Sequence, residues 1–379
     1  LLRRRETHPA RLGTRGPGPG CDPHQPTVTI MTRLMAPDTL RSRTVITGEQ
    51  RAHPVVQTLR RRRAEGSRPG SRADGRHVAL VIEGGGMRGV VSAGMTVALE
   101  QLGFRDVFDE VHGASAGAFN AAFLLAGQAP YGCALYGHGF GDPRFVSLGR
   151  ALRGGPAFDM DYVINEVWTH QRPLRFETIL RSGITLHCTA TDADRAEIVE
   201  LAQLETPEDI RGALRASGRL PWLAGPPVLF RGRRLLDATL SESVPVHAAF
   251  IRATDVLVLQ TRPLGVAHAP PSRAVARLTE LYLRSVNPRL VKLHQTRSAR
   301  YDELSARLAA QASDHTASPS VCVIRPPAGS TVVGHLERRS GTLQAAGSEG
   351  LRAAWVALEG EDPEVLATLR AFPQVSGGA

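Results

Sequence analysis

The 379-residue chain has no apolar run of the ~20 residues needed to cross a bilayer. Its longest candidate, Ala114 to Ala126, is too short and reads as a buried helix. No apolar core follows a basic start and precedes a cleavage site, so no secretory leader is expected. The chain opens on Leu1, and Met31 and Met35 read as alternative starts. Cysteine is scarce: four residues, at 21, 133, 188 and 322, fit no zinc or redox spacing. Free buried thiols in a reducing compartment are expected, and with them a cytoplasmic protein that at most touches a membrane surface. No internal repeat is found, which argues against a repeat array.

Net charge is also missing from most of the chain. The formal charge is +10. Residues 1–76 hold 16 arginines against 6 acidic residues, whereas the other 303 hold 30 basic and 30 acidic. The neutral body has no field to steer a polyanion, so nucleic acid is not an expected partner. Residues 1–76, with the run Arg60-Arg61-Arg62-Arg63, lack sustained apolar periodicity and read as a disordered basic tail. Contact with an anionic membrane is the functional alternative to plain solvation. On this reading a chain starting near Gly75 keeps its chemistry.

Order is expected from about residue 77. Val78-Ala79-Leu80-Val81-Ile82 is a continuous apolar run, as in a strand covered on both faces. A helix is expected over about 90–102 and a short strand over about 109–113. Strands near 184–189, 196–201, 234–237, 256–260 and 321–325 alternate with helices near 208–216, 273–284, 288–310 and 351–358. This order implies an α/β domain over 77–360 with a mainly parallel central sheet, followed by a short tail, 361–379. The glycine-clustered residues 129–158 read as a loop region. Asp192 and Asp194 read as a hairpin turn, since no further metal-ligand spacing accompanies them.

Two glycine motifs carry the chemistry. Gly113-Ala114-Ser115-Ala116-Gly117 fits G-x-S-x-G, in which a strand turns sharply into a helix and exposes a serine hydroxyl. With 38 glycines in the chain, that pattern alone is weak. Gly84-Gly85-Gly86-Met87-Arg88-Gly89 follows a strand and opens a helix, where several N–H groups and the helix dipole converge on one spot. It also satisfies the dinucleotide fingerprint G-x-G-x-x-G, with Asp106, Asp109 and Glu110 about 20 residues on as ribose ligands. An NAD-type oxidoreductase is therefore the alternative, though it leaves Ser115 unexplained. Arg88 reads either as a support for the loop or as a surface residue.

Together, Glu83–Gly89 and Gly113–Gly117 resemble the patatin-like phospholipase family. The resemblance implies a three-layer α/β/α domain with the glycine loop as oxyanion hole, built from Gly85, Gly86, Met87 and Arg88. It implies Ser115 as nucleophile and a downstream aspartate, not a histidine, as base. The matching position is Asp237, in Leu235-Leu236-Asp237-Ala238-Thr239, and Ser217-Gly218-Arg219-Leu220-Pro221 resembles the linker ahead of it. Ala238 stands where the family usually has glycine, so a positive φ there would strain it. The implied substrate is a phospholipid, lysophospholipid or other acyl ester, with no metal and no cofactor. A non-catalytic lipid-binding descendant is the second alternative. A serine–histidine triad would draw on His112 or on His247, His268, His294, His315 or His335.

Overall fold

The computed structural model describes residues 48–138, 144–147, 149–150, 153, 155–266 and 273–360. Its centre is a sheet of the strands β1 (Val78–Ile82), β2 (Glu110–Ala114), β3 (Thr185–Asp192), β4 (Glu197–Leu201), β5 (Val228–Phe230), β6 (Arg233–Asp237), β7 (Asp255–Leu259) and β8 (Ser320–Ile324). The order β3-β2-β1-β7-β8 is parallel throughout, and β4, β5 and β6 join antiparallel beyond β3. β1 and β7 are buried along their whole length, because helices cover both faces of a parallel sheet.

The helices are α1 (Pro54–Ala64), α2 (Gly89–Gln101), α3 (Ala116–Leu125), α4 (Ala129–His138), α5 (Phe176–Leu180), α6 (Pro207–Ser217), α7 (His247–Arg252), α8 (Arg273–Val286), α9 (Pro288–Ser313) and α10 (Ser340–Glu359). A turn at Met160–Tyr162 runs into a π-helix, Val163–Gln171. Alternation along β1 sorts the layers. Val78, Leu80 and Ile82 face the core shared with α1, α2, α3 and α10. Ala79 and Val81 face the second core, with Val256, Val258, Ala249 and Tyr301 and Leu308 of α9. The mainly parallel three-layer α/β/α arrangement is the one the motifs implied.

Four features differ from the sequence reading. Residues 54–76, assigned to a disordered tail, are built into the domain. α1 starts with Pro54 in its first turn, capped by His53 Nδ1, and buries Val55, Val56 and Leu59. Arg62 is 1% exposed and donates to Asp74, Asp109 and the carbonyls of Val107 and Arg76. Arg60 and Arg63 clasp Glu359 at the end of α10. Arg60, Arg62 and Arg63 therefore form an internal clamp, while Arg61 of the same run is exposed. Residues 1–47 and 361–379 lie outside the described residues. Second, α10 begins at Ser340, well before the expected 351. Third, residues 129–138 are helical. Fourth, the short strand β5 was not expected. The Asp192 turn is as read: Asp192 Oδ1 accepts from the N–H groups of Asp194 and Arg195. Cys133, Cys188 and Cys322 are free and buried, and no helix among the described residues is long and apolar enough to cross a membrane.

Candidate active site

The sheet register brings the serine and the aspartate together. β2 pairs with one edge of β3 as far as Ala114↔Thr189 and then leaves the sheet. β6 takes over that edge at the next residue, with Ala190↔Asp237. The last residue of β6 thus arrives where β2 turns away into α3. Ser115 occupies that turn at φ 53°, ψ −121°, a conformation that costs a non-glycine residue energy and tips its side chain out of the sheet.

Ser115 Oγ donates to Asp237 Oδ2 at 2.8 Å, with Ser115 4% and Asp237 0% exposed. Thr239 fixes the other carboxylate oxygen through its N–H (2.8 Å) and its hydroxyl (2.5 Å). Burial pushes the Asp237 carboxyl above its ordinary range, against the opposing pull of the Thr239 and Ser115 hydrogen bonds. The segment after α6 holds both residues in place. Ser217 Oγ accepts from the Ser115 N–H at 2.8 Å, and the Arg219 carbonyl accepts from the Asp237 N–H at 2.9 Å. Thr239 and Ser217 were missed as site residues, since an isolated hydroxyl in sequence has no spacing to mark it. Ala238 is not among the positive-φ residues and opens a short 3₁₀ turn, so alanine is unstrained there.

The glycine loop lies directly over the serine turn. A Cβ on Gly84 would sit 2.3 Å from the Ala114 carbonyl oxygen and 3.3 Å from Ser115 Cβ, so only glycine allows this approach. Gly113 and Gly117 close the elbow from the other side, Gly117 against the Ile82 carbonyl. Of the loop's N–H groups, Gly84 donates to Ser243 O, Met87 to His335 O and Arg88 to Gly85 O. The expected use of Met87 and Arg88 as oxyanion donors is corrected by those bonds. Gly85 and Gly86 donate to no acceptor among the described residues, nor does Ala116, the first residue of α3. Arg88 is buried beneath the loop, bonded to Thr261 Oγ1 at 2.8 Å and paired with Glu83 at 3.2 Å. It supports the loop and is not a surface residue.

The other candidates fall elsewhere. Asp109 pairs with Arg62 and Arg72, and Asp106 with Arg68 and Arg105. Both precede β2, at the end of the strand remote from the glycine loop, so no ribose carboxylate is in place. His112 is 1% exposed and stacks on His187, its register partner. Burial holds its pKa below the ordinary histidine value. His315 packs on His53, and His294 meets Arg297. His335 lies against the glycine loop through its carbonyl, and His268 lies outside the described residues. A cavity of about 220 Å³ opens beside α3, lined by Phe119, Phe123, Tyr136, Val163, Val167 and Trp168.

Comparison with known proteins bears on this geometry. The model of the patatin-like phospholipase family matches residues 80–250, the span that holds the glycine loop, Ser115 and Asp237. The chain is also 30% identical over 197 residues to the uncharacterized protein YjjU of Escherichia coli (strain K12), which covers 51% of this chain and 54% of that protein. The chain thus spans about half the length of that relative. The crystal structure of VipD from Legionella pneumophila superposes with a TM-score of 0.40 at 12% identity, over 76% of this chain and 67% of that one. That likeness is too loose to carry an argument. The matched span ends before β7 and β8, which complete the parallel sheet beside β1.

Proposed function

We propose that the protein is a serine acyl-ester hydrolase acting on lipid-class esters through a Ser115–Asp237 dyad. The observation that carries this reading is the 2.8 Å bond from Ser115 Oγ to Asp237 Oδ2 at a strained turn under a glycine loop. Asp237 takes the serine proton as Oγ bonds to the ester carbonyl carbon. The N–H groups of Gly85, Gly86 and Ala116 hold the resulting oxyanion. Collapse expels the alcohol, which receives the proton from Asp237 and leaves an acyl-serine. Asp237 then removes a proton from water, which attacks the acyl carbon and returns Ser115 with its proton. The raised pKa of Asp237 makes it a stronger base than an exposed carboxylate. The cavity beside α3 begins one turn beyond Ser115, at Phe119, and its aromatic and aliphatic wall suits an acyl chain, with Arg144, Gln171 and Arg172 also in its lining. The match to the patatin-like phospholipase family supports a lipid substrate. Contact with anionic lipid through the basic N-terminal arm falls to the exposed Arg51 and Arg61 and to arginines before residue 48, since Arg60, Arg62, Arg63, Arg68, Arg72 and Arg76 are paired internally.

The test is labelling with a fluorophosphonate probe alongside turnover of p-nitrophenyl esters. Wild type and His335→Gln should label and turn over. Ser115→Ala should do neither, and Asp237→Asn should lose about 100- to 10,000-fold in turnover. A folded wild type that neither labels nor hydrolyses any ester would leave a non-catalytic lipid binder. A dead His335→Gln beside an active Asp237→Asn would make the enzyme a histidine triad.

A further inference from the structure

We propose that Glu110, His112 and His187 bind one divalent transition-metal ion of the zinc class, at a second site apart from the Ser115 dyad. Adjacent parallel strands place the two histidines side by side, and Glu110 lies two residues before His112, on the same sheet face. The ligand atoms of the three residues all lie within 4.8 Å of one another. His112 Nε2 is 3.0 Å from Glu110 Oε1, and His187 Nε2 is 3.4 Å from Glu110 Oε2. His77 Nε2 also reaches Glu110 Oε2, at 3.4 Å, but stands outside the cluster of three. Ligands 2.0–2.1 Å from a tetrahedral zinc ion stand about 3.3 Å apart, close to the two histidine–carboxylate distances, and the cluster as a whole stays within 4.8 Å.

Two further observations point to an ion rather than to a closed network. Glu110 Oε1 and the Nε2 atoms of His77, His112 and His187 are shut off from solvent, and none makes a properly directed hydrogen bond. Buried polar atoms are normally satisfied, and three such orphans in one cluster, those of Glu110, His112 and His187, are unusual. The outer shell is also that of a metal-bound histidine. Glu200 Oε1 lies 2.7 Å from His187 Nδ1 and 3.5 Å from His112 Nδ1. A carboxylate 2.7 Å away holds the His187 proton on Nδ1 and leaves its Nε2 lone pair free for a metal. Arg252 pairs with Glu200 at 2.6 Å and with Glu110 Oε2 at 3.1 Å, which neutralises the outer carboxylate. The rings stack at 4.2 Å and 10°, so each must turn about its Cβ–Cγ bond to aim its lone pair at the ion. The mixed nitrogen and oxygen donor set favours zinc-class ions over magnesium or calcium. The site lies toward the N-terminal end of β2, whereas Ser115 follows its C-terminal end, so the assigned role is structural.

The full chain, expressed in zinc-supplemented medium and exhaustively dialysed, should hold about one zinc per chain. Chelation should lower its melting temperature, and Zn²⁺ but not Mg²⁺ should restore it. Cobalt(II) should give the visible absorption of a four-coordinate site. Glu200→Gln, which keeps all three ligands, should weaken zinc by about 10- to 100-fold. His112→Gln with His187→Gln should abolish binding; should that variant not fold, His112→Gln alone and Glu200→Gln carry the comparison. A folded wild type with no zinc and no thermal response to Zn²⁺ overturns the proposal. So does full zinc retention in the ligand variants, whatever the outcome for ester hydrolysis.

Discussion

At the residue scale, Asp237 is placed for reactivity at the cost of stability. Its carboxyl is fully buried with no cationic partner among the described residues, and its pKa is raised chiefly by that burial. A folded-state pKa above the unfolded one means that the ionised carboxylate opposes folding above the folded pKa. That opposition fades as pH falls through the folded pKa toward the unfolded one. Asp237→Asn should therefore melt at a higher temperature than wild type at neutral pH, and the gap should close on acidification. Thermal melts across pH check this, and a variant that melts lower at neutral pH would contradict it. The acid limb of ester turnover should likewise sit above that of an exposed aspartate. Ser115, Asp237 and the glycine loop were legible in sequence because each lies in a contiguous pattern whose spacing is local. Thr239, Ser217 and Glu200 were not, since hydrogen-bonding side chains contributed across the fold leave no periodic trace. Met87 and Arg88 were misread because sequence does not show which N–H groups a neighbouring loop, here at His335, has already taken.

At the scale of elements, glycine explains the largest error in helix length. Gly347 and Gly350 break the expected pattern of α10, yet both lie where that helix crosses α2. A Cβ on Gly94 would stand 1.9 Å from Gly347 O, and one on Gly350 would stand 2.1 Å from Val91 O. These are contacts between backbones, so no side-chain rotation relieves them. Gly350→Ala should therefore lower stability by about 1–3 kcal/mol, as overpacked core sites do. Gly341 is in the same helix, and a Cβ added there would meet nothing within 4 Å. Gly341→Ala should raise stability by about 0.5 kcal/mol. Denaturant melts of the two variants compare contact with propensity inside one helix, and equal effects would argue against the close crossing. The parallel strands were easier to read, because a strand covered on both faces is a continuous apolar run. β5, three residues with Leu229 exposed, has no such run.

At the scale of the whole molecule, the count that divided a basic tail from a neutral body drew the line too late. Charge balance does not report packing, and the arginines of residues 54–76 are balanced by acids that follow in the chain. Arg62 and Arg72 meet Asp109, Arg76 meets Asp255, and Arg63 meets Glu359. Removing residues 1–74 would expose the core contacts of Val55, Val56 and Leu59, each worth about 1.5–3 kcal/mol when fully buried. It would also take Arg62 and Arg72 from Asp109 and leave that half-covered carboxylate without cationic partners. Losing the partner of a buried charge is itself costly, at about 3–5 kcal/mol for a fully buried pair. The sum reaches the whole stability of a typical domain, about 5–15 kcal/mol. A chain beginning at Gly75 should therefore be recovered unfolded or aggregated. One beginning at Gly48 should fold, label with fluorophosphonate and melt within a few degrees of the full chain. Circular dichroism and probe labelling of both truncations decide the matter. A Gly75 chain as stable and as active as the full protein would show that α1 is packed on the domain without being part of it.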